Sequence, residues 1–260
     1  MDNIDNLNNI SERAYIIISN NYIINVSKAF INLVDYIEDE LLGNDINFIY
    51  NSLRIGPDFN YEDIDENKDY FLFTKTLEVR FININIIKDG LKDIFIFKEK
   101  PNSRLQDKFK YAYQLLSENI VGTSIYSVPD LTLLKASQVY LDFIDAPFNT
   151  PDKTFGKKIY EFINGYKGSI TDTAINDVIA SMKSSHFKEM KYHGFARGTT
   201  YWDQIITPIM EDGKVKYIIT NTQDVTEKVL NRMEIELKSK QLEEQNILIK
   251  QQQQELNAII

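Results

Sequence analysis

Few side chains in this sequence are suited to bond-making chemistry. There are two histidines, His186 and His193, and no cysteine in 260 residues. Lack of cysteine excludes disulfides, thiolate nucleophiles and cysteine-ligated metals. A histidine that accepts a phosphoryl group would sit on a dimerising helix, whereas both histidines fall in a strand-and-turn region. No Gly-x-Gly-x-x-Gly or Walker-type loop is present to cradle phosphates, and no Gly-Gly-Asp/Glu-Glu-Phe cyclase signature occurs. Asp63 and Asp65 are a carboxylate pair at close spacing, but they lie in a poorly patterned acidic stretch, residues 44–67. Solvation is the default there, so neither a hydrolase pair nor a calcium loop is assigned. The net charge of −9 argues against a nucleic-acid partner, which would require a basic face.

The elements that position these residues are clearest from Thr199 to Ile260. Thr199–Met210 reads as a strand, Glu211-Asp212-Gly213-Lys214 as a tight turn, and Val215–Gln223 as the returning strand. The Asp-Gly pair tolerates the positive φ that closes hairpins. A long polar helix follows. Asp224 suits its N-cap, and Glu227 three residues later completes a capping box. On the first strand, Tyr201, Asp203, Ile205 and Thr207 share one face.

Upstream, the same order of elements occurs twice. In the first module Ala14–Ser19 and Tyr22–Val26 form a hairpin around Asn20-Asn21, and Ser27 caps a helix with Ala29, Phe30, Leu33, Val34 and Ile37 on one side. Strand-like runs follow at Tyr70–Thr76, Leu77–Lys88 and Leu91–Lys98, with Asp89-Gly90 joining the last two. Pro101 is expected to stop the last strand. Ser103 and Gln106 then open a linker helix with Leu105, Phe109, Ala112 and Leu116 on one stripe. That stripe packs on a neighbouring domain or forms a dimer seam. The second module repeats the opening strand at Ser124–Val128, the return at Leu131–Lys135, and a helix around Tyr140. Ile170–Lys183 reads as a helix and His186–Tyr192 as a strand. Gly43 and Gly156 stand 113 positions apart, and the hairpin glycines Gly90 and Gly213 stand 123 apart. A diverged repeat with about ten extra residues in the second copy accounts for both spacings. The expected division is a polar segment at 1–12, a domain at 13–98, a linker helix at 99–118, a second domain at 119–224 and a helix at 225–260.

The start of the chain is polar and lacks the apolar core of a signal peptide, and no window is apolar for 18 residues. The expected compartment is the cytoplasm. In the last helix Ile235, Leu242, Ile249 and Leu256 fall seven apart, while the companion positions Ser239, Asn246 and Gln253 are polar and Ile260 is apolar. A half-polar seam makes a weak coiled coil, and Asn at such a position favours one register at some cost in stability.

The order Tyr201-Trp202, Pro208-Ile209, Asp212-Gly213 and Asp224-Val225-Thr226 resembles the end of a PAS domain, the sensory module of two-component kinases. Glu40-Leu41-Leu42-Gly43 resembles the close of its helical pair. The first copy ends Phe97-Lys98-Glu99-Lys100-Pro101 and lacks the Asp-Val-Thr. The resemblance implies an α+β fold: two PAS-like domains, each an antiparallel five-stranded sheet with flanking helices, joined by a helix and followed by a signalling helix or coiled coil. It implies the sensory region of a bacterial sensor histidine kinase, dimeric through its linker and C-terminal helices, as part of a longer protein. A PAS–PAS interaction module without small ligand and a cofactor-bearing redox or gas sensor are the alternatives.

The resemblance also places functional residues. Asp203 matches the strand position at which cofactor-binding relatives contact their ligand, so the face of Tyr201, Asp203, Ile205 and Thr207 is assigned to a ligand pocket. Ile218, Thr220 and Thr222 join it from the last strand, with Tyr126 and Tyr140 added. An acidic group among apolar neighbours suits a small polar or cationic ligand. Asp224, Thr226 and Glu227 are assigned to signal transmission. The cofactor, if any, is left open: a flavin–cysteinyl adduct is excluded by the absence of cysteine. A haem ligand at His186 is disfavoured against a surface histidine on an edge strand.

Overall fold

The computed structural model describes residues 12–56, 59–104 and 121–259. The expected linker-helix stripe Leu105, Phe109, Ala112 and Leu116 lies outside the described residues, as do residues 1–11 and Ile260.

The first hairpin pairs β1 (Ala14–Ser19) with β2 (Tyr22–Val26). Its turn residues Asn20 and Asn21 both take positive φ, 50° and 68°, a conformation that asparagine tolerates better than most residues. Ser27 then caps α1 (Lys28–Val34), its Oγ accepting from the Phe30 N–H at 3.0 Å. Short helices α2 (Glu38–Leu41) and α3 (Asn47–Asn51) follow, and then β3 (Tyr70–Phe73), β4 (Val79–Asp89) and β5 (Lys92–Arg104). The second half repeats the plan. β6 (Gly122–Ser127) and β7 (Leu133–Ala136) precede helices α4 (Gln138–Asp142), α5 (Pro151–Thr154), α6 (Ile159–Phe162) and α7 (Ile170–Ser181). Strands β8 (Ser185–Phe195), β9 (Gly198–Glu211) and β10 (Lys214–Asp224) follow, and the long helix α8 (Thr226–Ile259).

Each half forms a five-stranded antiparallel sheet, ordered β2-β1-β5-β4-β3 and β7-β6-β10-β9-β8. Strand for strand the two orders are the same, so the repeat read from glycine spacing is a repeat of topology. In the first sheet Ile82, Ile84, Phe95 and Phe97 face the helices and share a core with Phe30, Leu33 and Val34. The second core unites Ile218, Ile206 and Tyr126 with Ile175 and Val178 of α7.

Several boundaries differ from expectation: β3 ends at Phe73 rather than Thr76, β4 starts at Val79 rather than Leu77, β7 is Leu133–Ala136 rather than Leu131–Lys135, and β8 extends to Ser185–Phe195. Pro101 does not end β5. The pairing runs to Glu99 opposite Ile82 and then resumes with Arg104 opposite Arg80, so the proline falls in a stretch that leaves the ladder. Proline is tolerated at such an irregularity because no ladder N–H is required of it. The β4–β5 turn is Gly90-Leu91 rather than Asp89-Gly90, since Asp89 pairs with Lys92.

The outer face of the first sheet is also covered. Phe71, Phe73, Val79 and Phe81 are buried in one cluster with Leu131, Leu133, Phe155 and Tyr217 of the second half. The Phe81 and Tyr217 rings meet edge-on at 5.9 Å. Arg54, at φ 45°, reaches across and donates to the carbonyls of Phe155 and Asp152, the latter at 2.7 Å. Gly156 makes room for it: a Cβ there would lie 2.6 Å from Arg54 Cδ. Among the described residues, no helix is long and apolar enough to cross a membrane.

Candidate ligand cavity and helix junction

Between the second sheet and its helices lies a cavity of about 530 Å³. β9 contributes Trp202 and Gln204, and β10 contributes Thr220 and Thr222. Thr222 stands directly opposite Gln204 in the ladder, so both point to the same side. Tyr126 enters from β6 and Tyr140 from α4, and their hydroxyls hydrogen-bond to each other. Both phenols are buried, which pushes their pKa up, since a phenolate there would lose its water. Below them Ser124 Oγ and Thr220 Oγ1 meet at 2.6 Å.

An aromatic wall closes one side. Trp202 packs against Phe143 at 5.0 Å and Phe195 at 5.6 Å, and its Nε1 donates to Thr200 Oγ1 at 2.8 Å. Tyr192 continues the wall beside Phe195 at 4.9 Å. Burial and the nearby Asp145 carboxylate raise the Tyr192 phenol to about 12.

Two buried polar groups in this cavity have no well-aligned hydrogen-bond partner among the described residues. Gln204 donates through Nε2 to Thr222 Oγ1 at 3.2 Å, but its Oε1 is buried and accepts nothing. The Tyr166 hydroxyl is likewise buried without a well-aligned hydrogen bond, and burial together with the adjacent Asp172 carboxylate raises its pKa. Unsatisfied buried groups cost roughly 1–3 kcal/mol each and are uncommon.

The structure separates the residues assigned to the pocket from sequence. Tyr126, Tyr140, Thr220 and Thr222 line the cavity. Ile218 faces the same side, opposite Tyr126, but is fully buried in the core beneath it. Tyr201, Asp203, Ile205 and Thr207 lie on the other face of β9, because the strand's alternation turns Trp202, Gln204 and Ile206 inward. Tyr201 is covered by Val225 and Val229, and Ile205 is 41 % exposed. Asp203 accepts the Glu189 N–H at 2.7 Å and takes no part in the cavity. The case for a cationic ligand, which rested on Asp203, therefore falls. His186 is exposed on β8 opposite Ile205, whereas His193 borders the cavity and contacts Thr199 Oγ1 at 3.0 Å. Among the described residues, no group of three or more histidine and carboxylate side chains converges as a metal site.

Trp202, Gln204, Tyr166 and Tyr192 were missed. The sequence signal for the first two was the run Thr200, Trp202, Gln204, Ile206, equally periodic with the face that was chosen. Tyr166 and Tyr192 carried no such signal, because they arrive from a loop and an edge strand.

The junction with α8 is built from backbone and side chain together. The Tyr201 N–H donates to Thr226 Oγ1 at 2.9 Å, and Val225 N–H donates back to the Tyr201 carbonyl at 2.9 Å. Asp224 Oδ1 accepts the Thr226 N–H at 2.9 Å, and its Oδ2 lies 3.7 Å from Arg197. Arg197 also covers the Trp202 ring at 5.3 Å and donates to the Phe143 carbonyl at 2.9 Å. The expected capping box does not form as drawn. The helix begins at Thr226, so Asp224 precedes the cap position and Glu227 is the second helical residue rather than the third that a capping box uses.

The model of the PAS domain family matches residues 12–101 and 120–227, more than half of the chain. No curated protein matches. Among solved structures, a sensory box sensor histidine kinase from Vibrio cholerae is 20% identical over 46% of this chain and 94% of that one, with a TM-score of 0.34. An RNA-binding light-oxygen-voltage receptor is 9% identical over 87% of this chain and 99% of that one, with a TM-score of 0.39. A PAS domain from a two-component sensor histidine kinase is 10% identical over 45% and 96%, at 0.34. Likenesses of this size add nothing to the family match. With two matched segments that coincide with two sheets of one topology, this chain belongs to the PAS domain family.

Proposed function

We propose that the chain is the sensory and relay region of a cytoplasmic signal-transduction protein, with a two-component histidine kinase as the output it serves. The second domain, residues 119–224, holds a small ligand, and the helix at 225–260 carries the resulting change of state. The first domain, whose sheet runs from Ala14 to Arg104, supports it. The observation that carries this reading is that one sheet does both jobs. The inner face of β9 and β10 lines the cavity, and the ends of the same strands hold the start of α8.

The cavity chemistry selects the ligand class. The polar groups lining it include the amides of Gln204 and Asn164, hydroxyls of Ser169, Thr220 and Thr222, and the phenols of Tyr126 and Tyr140, whose pKa is raised; Lys191 and His193 stand at its border, and the walls are aromatic. A flat molecule with at least one hydrogen-bond donor for Gln204 Oε1 fits these groups. α8 supplies the dimer. Ile235, Leu242 and Ile249 are 68 %, 59 % and 49 % exposed in one chain, an apolar seam that a second copy would cover. Leu256 falls among residues whose side chains are not described.

Native against denaturing mass spectrometry of the purified protein tests both parts. The expected result is a dimer with extra mass that is lost on denaturation. An apo dimer would favour the alternative reading, a PAS–PAS interaction module without ligand. A monomer at every concentration would refute the seam on α8. Visible colour on purification would point instead to a redox or gas sensor.

A further inference from the structure

The edge strand β8 carries a bulge where the cavity and the outgoing helix come closest. Phe187 pairs with Gln204 and Met190 with Trp202, so Lys188 and Glu189 together stand opposite Asp203. Glu189 takes φ 51°, a left-handed conformation unfavourable for a side chain of this kind. Its N–H, displaced from the ladder, is satisfied by Asp203 Oδ1 at 2.7 Å.

The bulge sends neighbouring side chains to opposite sides of the sheet. Met190 borders the cavity. Glu189 meets the Arg232 guanidinium in a two-pronged pair, both contacts at 2.7 Å. Arg232 also has Glu236 at 3.7 Å on its own helix. Val229 and Arg232 lie on one stripe of α8 that the preceding Val225 continues, the two valines packed on Tyr201. From Leu230 to Gln254 every residue is exposed, so the Glu189 pair anchors the helix where it leaves the sheet.

We propose that this bulge is a clamp between cavity and helix: Asp203 holds the backbone of Glu189, Glu189 grips Arg232, and a displacement of Met190 changes the angle at which α8 departs. The inference rests on the sensory reading of the second domain and names its regulation. It gives Asp203 a role on the outer face of β9, and it is distinct from the contacts of Asp224 and Thr226 at the helix start. Arg197, which touches both Trp202 and Asp224, offers the competing route.

The test needs no ligand. Met190→Trp fills part of the cavity and stands in for occupancy. Hydrogen exchange of the full chain is followed at residues 226–235, with thermal melting to establish that each variant is folded. Met190→Trp is expected to change exchange there severalfold in the otherwise native protein and to have little effect beside Glu189→Gln. The swapped pair Glu189→Arg with Arg232→Glu should restore the response. An equal response with and without Glu189 would overturn the clamp in favour of the Arg197 route, and no response in either would overturn it outright. An empty cavity by mass spectrometry with a Glu189-dependent response would refute the ligand and leave the clamp standing. A bound ligand without that response would do the reverse.

Discussion

At Gln204 the side-chain amide is half satisfied, its Nε2 bonded to Thr222 and its Oε1 buried with no donor among the described residues. An unmet buried acceptor costs roughly 1–3 kcal/mol, while a made neutral hydrogen bond returns about 1 kcal/mol. Gln204→Leu removes both and keeps the side chain's approximate volume. The expected outcome is a protein about 1 kcal/mol more stable in chemical denaturation, and one that no longer retains ligand mass in native spectra. A destabilised variant would mean that Oε1 has a partner such as an ordered water. Sequence reasoning reached Tyr126, Tyr140, Thr220 and Thr222, which the fold brings to the cavity, yet it put Asp203 there and passed over Gln204. Both faces of β9 carry large and polar groups in alternation. Period alone could not say which face meets the helices, because Tyr201 on the outer face is also buried, beneath α8.

Among the elements, the junction of β10 with α8 depends on two short side chains. Thr226 occupies the Tyr201 N–H near the start of β9, and Asp224 occupies the Thr226 N–H at the first turn of the helix. Asp224→Ala removes the second bond and the contact with Arg197. By analogy with a lost cap, the loss is about 0.5–2 kcal/mol. Faster hydrogen exchange across 226–230 with a lowered melting temperature is the expected result. Unchanged melting together with unchanged exchange would refute it. The existence of this helix and of the β9–β10 hairpin was legible because turn chemistry is local: Asp212 and Gly213 take φ 51° and 74° as an Asp-Gly turn requires. The true helix start was not, since Asp224 and Thr226 are both good capping residues and only the pairing of Asp224 with Trp202 keeps Asp224 in the strand. The path of β5 beyond Pro101 was hidden for a similar reason, because a strand can skip residues and resume its pairing.

On the scale of the whole chain, the repeat was legible and the contact between its copies was not. All of Tyr70–Phe73 is buried, and such a run signals a strand covered on both faces rather than one with a solvent side. Leu72 packs into the first core, while Phe71 and Phe73 pack with Leu131, Leu133 and Phe155. The two domains therefore share apolar surface, and the guanidinium of Arg54 fastens the seam to the carbonyls of Asp152 and Phe155. Gly156 is the weak point of this arrangement. It holds φ 80°, and a Cβ there would meet Arg54 Cδ at 2.6 Å and Phe73 at 3.2 Å. Gly156→Ala thus adds backbone strain, roughly 1–3 kcal/mol, to a steric conflict that displaces Arg54. Domains joined by a buried seam unfold together, and loosening the seam lets each unfold at its own stability. The wild-type chain is expected to melt in one calorimetric transition and Gly156→Ala in two, the lower one from the second domain, where the strain sits. Arg54→Ala separates the two effects, because it breaks the fastening without straining the backbone, and it should broaden the transition while moving its midpoint less. A single sharp transition in both variants would mean that the apolar seam holds the domains together without Arg54. The second domain's cavity and α8 would then remain mechanically tied to the first sheet through Phe81 and Tyr217.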